Sequence, residues 1–363
     1  MGKTIKIAVM PGDGIGNEIT KPSMDLLIQT AKGFNVNLEA VYIEAGAELY
    51  ARTGDAFPEE NFKEAASADA IYLCAMGLPN VRYPDGTEIG PQHDLRKRLA
   101  LYAGMRPCIT MPCLPLPLRD ERANHLDFVI VRESTEGIFA SPRKSEKDTE
   151  EAAYNTIKIT REISEKLFKF SFQLAESRKK NGSMGKVTCI DKANVLSSMY
   201  FFRSIFDEVK NAYPDIIADY SYVDAAALSM IRKPWEFDVC PTENLCGDIL
   251  SDEASALMGG MGMAPSGEIG DNHAVFQPCH GTAPDIMGTG KANPTGMILS
   301  GAIMLDYLGT KFDCPDAAKA GSLITQAVKN AYATGKLLPY ELGGSCGQDV
   351  IFKAVNEQIE KLS

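Results

Sequence analysis

The chain has 363 residues, of which 45% are hydrophobic and 23% charged, which excludes disordered, collagen-like and miniprotein classes. At about 150 residues per domain, this length predicts two domains. The formal net charge is −11 and no basic stripe dominates, so the sequence argues against nucleic-acid binding as the main function.

The first third of the chain alternates strand and helix signals, which is the pattern of an α/β layer structure. Its predicted elements are a strand at 4–10, a glycine-rich turn at 11–16, a helix at 15–31, a strand at 35–43, a helix at 58–66 and a buried strand at 70–74. The last of these is an uninterrupted apolar run, which suits a parallel strand covered on both faces.

The middle of the chain changes character at a proline-rich segment, 106–118. A strand at 127–132, a polar protruding arm or loop at 141–149, an amphipathic helix at 157–173 and a strand at 186–190 are predicted next. The last third is predicted to be helical, with glycine-rich interruptions at 258–263 and 280–294. Composition shifts near Tyr102 and Gly259 predict a discontinuous domain of residues 1–101 and 259–363, interrupted by a second domain of residues 102–258.

The nine cysteines are scattered and none has the close spacing of a zinc knuckle. We expect small buried thiols in a reducing compartment. The start of the chain shows no signal-peptide pattern, and no stretch reaches the length of a transmembrane helix. These features predict a cytoplasmic location without a membrane partner.

The glycine-rich turn at 11–16 follows a strand, as a dinucleotide-binding turn does. The G-x-G-x-x-G fingerprint requires glycine where Asn17 stands, so the turn alone does not indicate a Rossmann fold. A tight turn that needs positive φ explains the glycines as well.

Carboxylates form the second motif. Asp248 and Asp252 are four residues apart and would share one face of a helix, where two like charges are unfavourable without a cation. Asp224 could supply a third oxygen ligand, and three carboxylates suit Mg²⁺ or Mn²⁺. A solvated acidic face is the alternative interpretation.

Arginines form the third motif. Arg132 ends an apolar strand, and Arg96 and Arg106 occupy comparable positions, where α/β proteins place ligand-binding groups. Arginine suits bidentate capture of carboxylates, so the set predicts a polyanionic substrate. For any single arginine, solvation at the surface is the alternative.

Two further segments carry candidate residues. Lys192 lies in Asp191-Lys192-Ala193-Asn194, directly after the strand at 186–190, and could serve as a base near a metal, although an exposed lysine is the simpler interpretation. The loop from His280 to Asp285 has small residues that let backbone approach a flat ligand, and a carboxylate in it can accept from ribose hydroxyls. Such a carboxylate would repel a 2′-phosphate and so favours NAD over NADP; an ordinary turn-rich loop is the alternative.

Together these motifs identify a resemblance that runs from Pro11 to Ser345. The chain resembles the β-decarboxylating dehydrogenases, which include isopropylmalate, isocitrate, homoisocitrate and D-malate/tartrate dehydrogenases. The most specific matching segments are Asp191-Lys192-Ala193-Asn194, Glu243-Asn244 through Asp252, and His280 through Pro294. The resemblance implies a two-domain, isopropylmalate-dehydrogenase-like α/β fold that is not a Rossmann fold, with a protruding arm for dimerisation. It also implies a homodimer or larger homo-oligomer with active sites shared between subunits.

The resemblance assigns a role to each candidate residue. Arg96, Arg106 and Arg132 would hold the carboxylates of a hydroxy di- or tricarboxylate with a malate-like core. Asp248 and Asp252 of one subunit and Asp224 of the other would hold Mg²⁺ or Mn²⁺, and Lys192 with Asp224 would take the proton from the substrate hydroxyl as hydride leaves C2 for NAD. The cofactor's adenosine part would lie against His280, Gly281, Thr282, Ala283, Pro284, Asp285, Ile286 and Asn293.

The chain departs from this family pattern in two places. Phe139 stands where relatives carry a tyrosine that protonates the enolate after loss of CO₂. The substrate-selecting stretch, with Ile89, Gly90, Gln92 and His93, fits neither the isocitrate nor the isopropylmalate pattern. The departures leave the substrate open, and the resemblance as a whole implies an NAD- and metal-dependent oxidation, with decarboxylation, of a (2R)-malate-type acid. The alternatives are a non-decarboxylating dehydrogenase of a tartrate-like acid, a metal-dependent lyase or hydrolase on the same site, and a noncatalytic regulatory subunit.

Overall fold

The computed structural model describes residues 4–141 and 145–363. Its centre is one mixed sheet of ten strands in the order β2-β1-β3-β10-β9-β4-β5-β8-β6-β7. This order differs from the 3-2-1-4-5-6 order of a Rossmann sheet. The strands are β1 (Thr4–Gly12), β2 (Asn37–Tyr42), β3 (Ala70–Ala75), β4 (Ala103–Ile109), β5 (Asp127–Glu133), β6 (Lys186–Asp191), β7 (Ile217–Tyr222), β8 (Val239–Thr242), β9 (Pro265–Ile269) and β10 (Ala274–Pro278).

Helices pack against this sheet, which confirms the predicted α/β class. Those of the described residues are α1 (Gly16–Gly33), α2 (Ala47–Thr53), α3 (Glu59–Ala66), α4 (Pro91–Arg98), α5 (Arg161–Lys180), α6 (Ser197–Val209), α7 (Val223–Arg232), α8 (Asn244–Leu257), α9 (Thr295–Lys311), α10 (Pro315–Ala333) and α11 (Gln348–Leu362). Among these residues, no helix is long and apolar enough to cross a bilayer. All nine cysteines are free thiols.

The strands predicted from apolar runs lie close to their predicted positions. All six residues of β3 are buried, and β3 pairs in parallel with β1 and β10. The predicted helix at 157–173 is shifted to α5, because Thr160 caps it by accepting a hydrogen bond from the Ile163 backbone N–H.

The prediction that the last third is helical apart from two glycine-rich interruptions is wrong between Pro265 and Pro278, because β9 and β10 form an antiparallel pair there. Both strands have only five residues and are buried throughout, so they show no alternation of apolar and polar residues. Proline stands at one end of each strand, at Pro265 and Pro278, which also weakened the strand signal. Strand β4 was missed for a similar reason, since Pro107 lies inside it.

The two predicted domains contribute different halves of the sheet. Strands β2-β1-β3-β10-β9 come from residues 1–101 and 259–363, and β4-β5-β8-β6-β7 come from 102–258. The halves meet where β4 pairs antiparallel with β9. The division into a cofactor-binding and a substrate domain stays a prediction. So does the dimerisation arm at 141–149, of which 142–144 lie outside the described residues.

The glycine-rich turn is held by backbone contacts around Asp13. This buried carboxylate accepts hydrogen bonds from the backbone N–H groups of Ala47 (2.8 Å), Glu48 (2.8 Å) and Gly77 (2.7 Å). Gly14 has φ of +60°, and an added Cβ would lie 2.1 Å from the Thr282 carbonyl oxygen. The turn therefore needs glycine both for its conformation and for its contact with the 280–286 loop.

Candidate active site

A cavity of about 490 Å³ lies where the two halves of the sheet meet. Residues from α4, β4, β5, α8 and the β9–β10 pair converge on it, so segments far apart in sequence form one wall. Its lining residues are His93, Arg96, Arg106, Arg132, Ser134, Phe139, Asn244, Asp248, Ser251, Asp252, Met261, Ser266, Gln277, Pro278 and Cys279.

The three predicted arginines all lie in this cavity. Arg96 is in the last turn of α4, Arg106 is on β4 and Arg132 is on β5, and their side chains are 12%, 7% and 8% exposed. Burial, with Arg96 and Arg106 nearby, lowers the pKa of Arg132 to about 10. Three positively charged arginine side chains this close to one another suit a ligand with more than one negative charge.

Glu268 on β9 is the counter-ion of two of these arginines. Its Oε1 forms salt bridges with Arg96 Nη2 (2.9 Å) and with Arg106 Nη2, and its side chain is 1% exposed. Burial alone would raise the pKa of Glu268, but Arg106 and Arg96 outweigh it and hold the pKa well below its usual range. No sequence pattern identified Glu268, because β9 was not predicted as a strand. A lone acid inside a buried strand nevertheless indicates a paired charge.

Helix α8 supplies the acidic side of the cavity. Asp248 and Asp252 lie one turn apart on it, and Arg132 donates hydrogen bonds to the Asp248 carboxylate and to Oδ1 of the Asn244 side chain. Glu243 caps the helix by accepting from the backbone N–H groups of Leu245 and Cys246. Burial and the neighbouring Asp248 raise the pKa of Asp252, as expected for two carboxylates that face one space.

Lys192 and Asp224 do not line this cavity. They bond each other, with 2.5 Å between Lys192 Nζ and Asp224 Oδ1, and their side chains are 29% and 69% exposed. Buried Asp191 fixes the backbone under Lys192, because it accepts from the Ala193 N–H (2.8 Å) and forms two 2.7 Å bonds with Arg203. Within the described residues, no three acidic, histidine or cysteine side chains lie close enough to hold a metal ion.

The predicted cofactor loop lies against the glycine-rich turn. The Ile15 N–H donates to the Thr282 carbonyl (2.9 Å), and Thr282 Oγ1 donates to the Gly77 carbonyl (2.7 Å). Asp285 is exposed in a short 3₁₀ turn, Pro284–Ile286, and His280 Nε2 is a buried nitrogen without a hydrogen-bond partner among the described residues. The Asn293 amide is engaged within the chain, because it donates to Glu341 (2.6 Å).

The departures noted in the sequence also lie at the cavity. Phe139 lines it and is 53% exposed, with its ring centroid 5.5 Å from the Arg132 guanidinium carbon. His93 lines the same cavity, and Gln92 lines an adjoining one of about 180 Å³ with Arg96 and His280. The Oε1 atom of the Gln92 side chain is buried without a hydrogen-bond partner among the described residues.

Comparison with known proteins assigns this arrangement to a family. The model of the isocitrate/isopropylmalate dehydrogenase family matches residues 6–359, nearly the whole chain. The chain belongs to this family. It is therefore an oxidoreductase of the β-decarboxylating dehydrogenase type, as the sequence predicted.

Relatives within the isocitrate/isopropylmalate dehydrogenase family match over the full length. The chain is 42% identical to a 3-isopropylmalate/3-methylmalate dehydrogenase of Methanocaldococcus jannaschii, covering 94% of both chains. It is 38% identical to a 3-isopropylmalate dehydrogenase of Aquifex aeolicus, covering 99% of this chain and 98% of the relative.

Solved structures of the family share the fold. An isocitrate dehydrogenase from Methylococcus capsulatus has a TM-score of 0.83 at 31% identity, covering 98% of this chain and 99% of its own. A β-decarboxylating dehydrogenase from Thermococcus kodakarensis, in its apo form, has a TM-score of 0.81 at 34% identity, covering 99% and 97%. The names of these relatives differ in substrate, so family membership leaves the C3 substituent open.

Proposed function

We propose that this chain is an NAD- and Mg²⁺- or Mn²⁺-dependent dehydrogenase that oxidises C2 of a (2R)-malate-type acid and works as a homodimer. The observation that carries the proposal is the cavity in which three buried arginines face Asp248 and Asp252. Relatives named for 3-isopropylmalate and 3-methylmalate support a malate carrying a small substituent at C3. A cytoplasmic location is part of the proposal and is supported by nine free cysteines.

The acidic residues fit a hard divalent cation. Asp248 and Asp252 offer carboxylate oxygens from one helix face, and their mutual repulsion raises the pKa of Asp252 beyond what burial does. In the proposed site these two aspartates hold the metal together with Asp224 from a second copy of the chain. A bound divalent cation supplies a Lewis acid that polarises a substrate oxygen.

The loop from His280 to Ile286 fits the adenosine part of a dinucleotide. Its small residues and the glycine-rich turn bring two stretches of backbone together, and exposed Asp285 is free to accept from ribose hydroxyls. NAD supplies the hydride acceptor. Asn293 acts in this proposal by fixing the end of the loop, since its amide is bonded to Glu341.

The chain's own side chains bind the substrate and transfer its hydroxyl proton. Arg96, Arg106 and Arg132 hold the substrate carboxylates, so that C2 and its hydroxyl are positioned before any bond breaks. Lys192 passes its ammonium proton to Asp224 and, as the neutral amine, accepts the proton of the substrate hydroxyl. Asp191 and Arg203 keep the Lys192 backbone in place.

The proposed dimer brings Lys192 and Asp224 to the cavity of the other copy. Large apolar side chains are exposed on α7, which also carries Asp224, and on α8, with Leu228 58%, Ile231 48% and Ile249 61% exposed. An apolar patch of this kind marks an interaction surface. Twofold symmetry would complete two equivalent sites at once.

Phe139 favours a second outcome at the same site, in which oxidation gives the keto acid, loss of CO₂ from it gives the enolate, and the enolate leaves without rapid protonation. The ring lies in the cavity next to Arg132 and carries no proton to donate. Hydride transfer does not need that proton.

A substrate screen tests the proposal. We expect NADH formation, followed by absorbance with Mn²⁺ present, from at least one of (2R)-malate, tartrate, isocitrate and 3-alkylmalates, with the 3-alkylmalates most active. A chelator should abolish the signal and added Mn²⁺ should restore it. No NADH from any of these acids, or activity that is unaffected by the chelator, would contradict the proposed function.

A further inference from the structure

Glu268 is a buried carboxylate that the proposed function does not use. It does not line the cavity, yet it binds the outer nitrogens of two of the three arginines that do. A buried carboxylate therefore already occupies part of the hydrogen-bonding capacity that Arg96 and Arg106 offer to a substrate carboxylate. The other oxygen, Oε2, is buried without a partner among the described residues.

The Glu268 carboxylate occupies space that is available because Gly104 has no side chain. Gly104 on β4 pairs with Glu268 on β9 across the join between the two halves of the sheet. A Cβ added at Gly104 would lie 2.9 Å from Glu268 Oε2 and 2.7 Å from Ser134 Oγ. The absence of a side chain at Gly104 thus lets the carboxylate lie beside the strand, directly behind the arginines.

The charges around the cavity show what Glu268 changes. The three arginines are balanced by Glu268, Asp248 and Asp252, while Lys192 and Asp224 neutralise each other. A bound divalent cation then leaves two positive charges, which a dicarboxylate neutralises and a tricarboxylate exceeds. Without Glu268, the same site would match three negative charges.

We infer that Glu268 is a specificity-determining positioning residue that selects dicarboxylates over tricarboxylates. The inference rests on the proposed function, because it concerns the charge of that function's substrate. Glu268 acts through Arg96 and Arg106 and not by touching the substrate. Like charges in a poorly solvated site repel strongly, so one fixed carboxylate is sufficient to set such a preference.

The test compares Glu268→Gln with the wild type by calorimetric binding of (2R)-malate and isocitrate, with Mg²⁺ present and NAD absent. Glutamine keeps the shape and removes the charge. We expect the ratio of isocitrate to malate affinity to rise at least about tenfold in Glu268→Gln. Glu268→Asp keeps the charge and should leave the ratio near that of the wild type.

Two measurements separate charge from folding. Asp238 is a second buried carboxylate bound to an arginine, with 2.7 Å between its Oδ1 and Arg178 Nε. Asp238→Asn should lower the melting temperature as Glu268→Gln does, with no change in the affinity ratio. If Glu268→Gln does not fold, Glu268→Ala is measured with formate, which should raise its melting temperature several degrees more than it raises that of the wild type.

The outcomes are distinct for the two proposals. If wild-type protein binds malate but Glu268→Gln changes both affinities equally, the inference is wrong and the proposed function stands. The inference would also be overturned if Glu268→Asp or Asp238→Asn changed the affinity ratio as much as Glu268→Gln does. A Glu268→Ala variant that formate does not stabilise would overturn it as well. If the wild type binds neither of these two acids, nor tartrate, nor any 3-alkylmalate, the proposed function itself fails.

Discussion

The arginines of the cavity and the Lys192–Asp224 pair differ in how they are held. Arg96, Arg106 and Arg132 are buried and already paired within one chain, with Glu268 and with Asp248. Lys192 and Asp224 are paired with each other, exposed, and outside the cavity. The buried set depends on the folding of one chain for its geometry, whereas the exposed pair is free to serve a second chain. Substitutions in the two regions should therefore separate stability from activity.

The largest expected effect is at Lys192. Lys192→Met should lower kcat by about 10² to 10⁴, because it removes the group that accepts the proton. The melting temperature should change little, since an exposed ion pair contributes at most about 1 kcal/mol. Steady-state NADH formation and thermal unfolding measure the two quantities.

Mixed dimers sharpen the same comparison. Asp248→Asn should also be inactive, because one carboxylate of the metal site is lost. If Lys192 serves the other chain, a dimer of one Lys192→Met and one Asp248→Asn chain contains one intact site. Unfolding and refolding the two variants together should then restore activity, to about a quarter of the wild-type level for random pairing. No recovery would place Lys192 in the site of its own chain.

The next effect is at Phe139, which shares a property with each region, because it is half-exposed and contacts the buried Arg132. Phe139→Tyr should raise the yield or stereospecificity of protonated, decarboxylated product about tenfold more than it raises NADH formation. Product analysis by NMR in D₂O measures this, and Phe139→Leu serves as the control without a hydroxyl. Wild-type protein that already releases one stereospecific, deuterated product at the NADH rate would contradict the prediction.

Cofactor choice should follow exposed Asp285. A 2′-phosphate beside this carboxylate would be repelled, so kcat/KM for NAD should exceed that for NADP at least about tenfold, or roughly 1.4 kcal/mol. Asp285→Ser should reduce the ratio without changing the melting temperature. Equal kcat/KM values for the two cofactors in the wild type would show that Asp285 does not set the preference.

The smallest effect concerns stability at the buried end of β5. Burial raises the pKa of Glu133 to about 7, although Thr135 and Glu136 donate hydrogen bonds to its carboxylate. Because the folded pKa of Glu133 lies above its unfolded value, the protonated carboxyl group contributes its full stabilisation of the fold below about pH 4.5. That stabilisation is lost as pH rises through about 7. The free energy of unfolding should fall on the order of 1 kcal/mol more between pH 5 and pH 8 in the wild type than in Glu133→Gln. Urea unfolding at both pH values checks this, and identical pH dependence in the two proteins would contradict it.

Sequence patterns predicted what local chemistry determines. The helix face of Asp248 and Asp252, the buried run of β3 and the glycine-rich turn each follow from spacing within one segment. What was missed depends on pairing between distant segments. Glu268 has its role only because β9 pairs with β4, and β9 is too short and too buried to show a period. The engagement of Asn293 by Glu341 is likewise a contact between separate segments.

The strand order also constrains how the chain can fold as it is synthesised. Strands β4 to β8 pair among themselves, so residues 102–258 contain all the partners for their half of the sheet except at the β4 edge. The other half of the sheet cannot form completely until β10 has been synthesised, because β3 pairs with β10, which lies about 200 residues later in the chain. Hydrogen exchange during refolding should therefore protect the β5–β8 strands before β3. Until residue 278 leaves the ribosome, the N-terminal strands carry an open, apolar edge that is available to other chains.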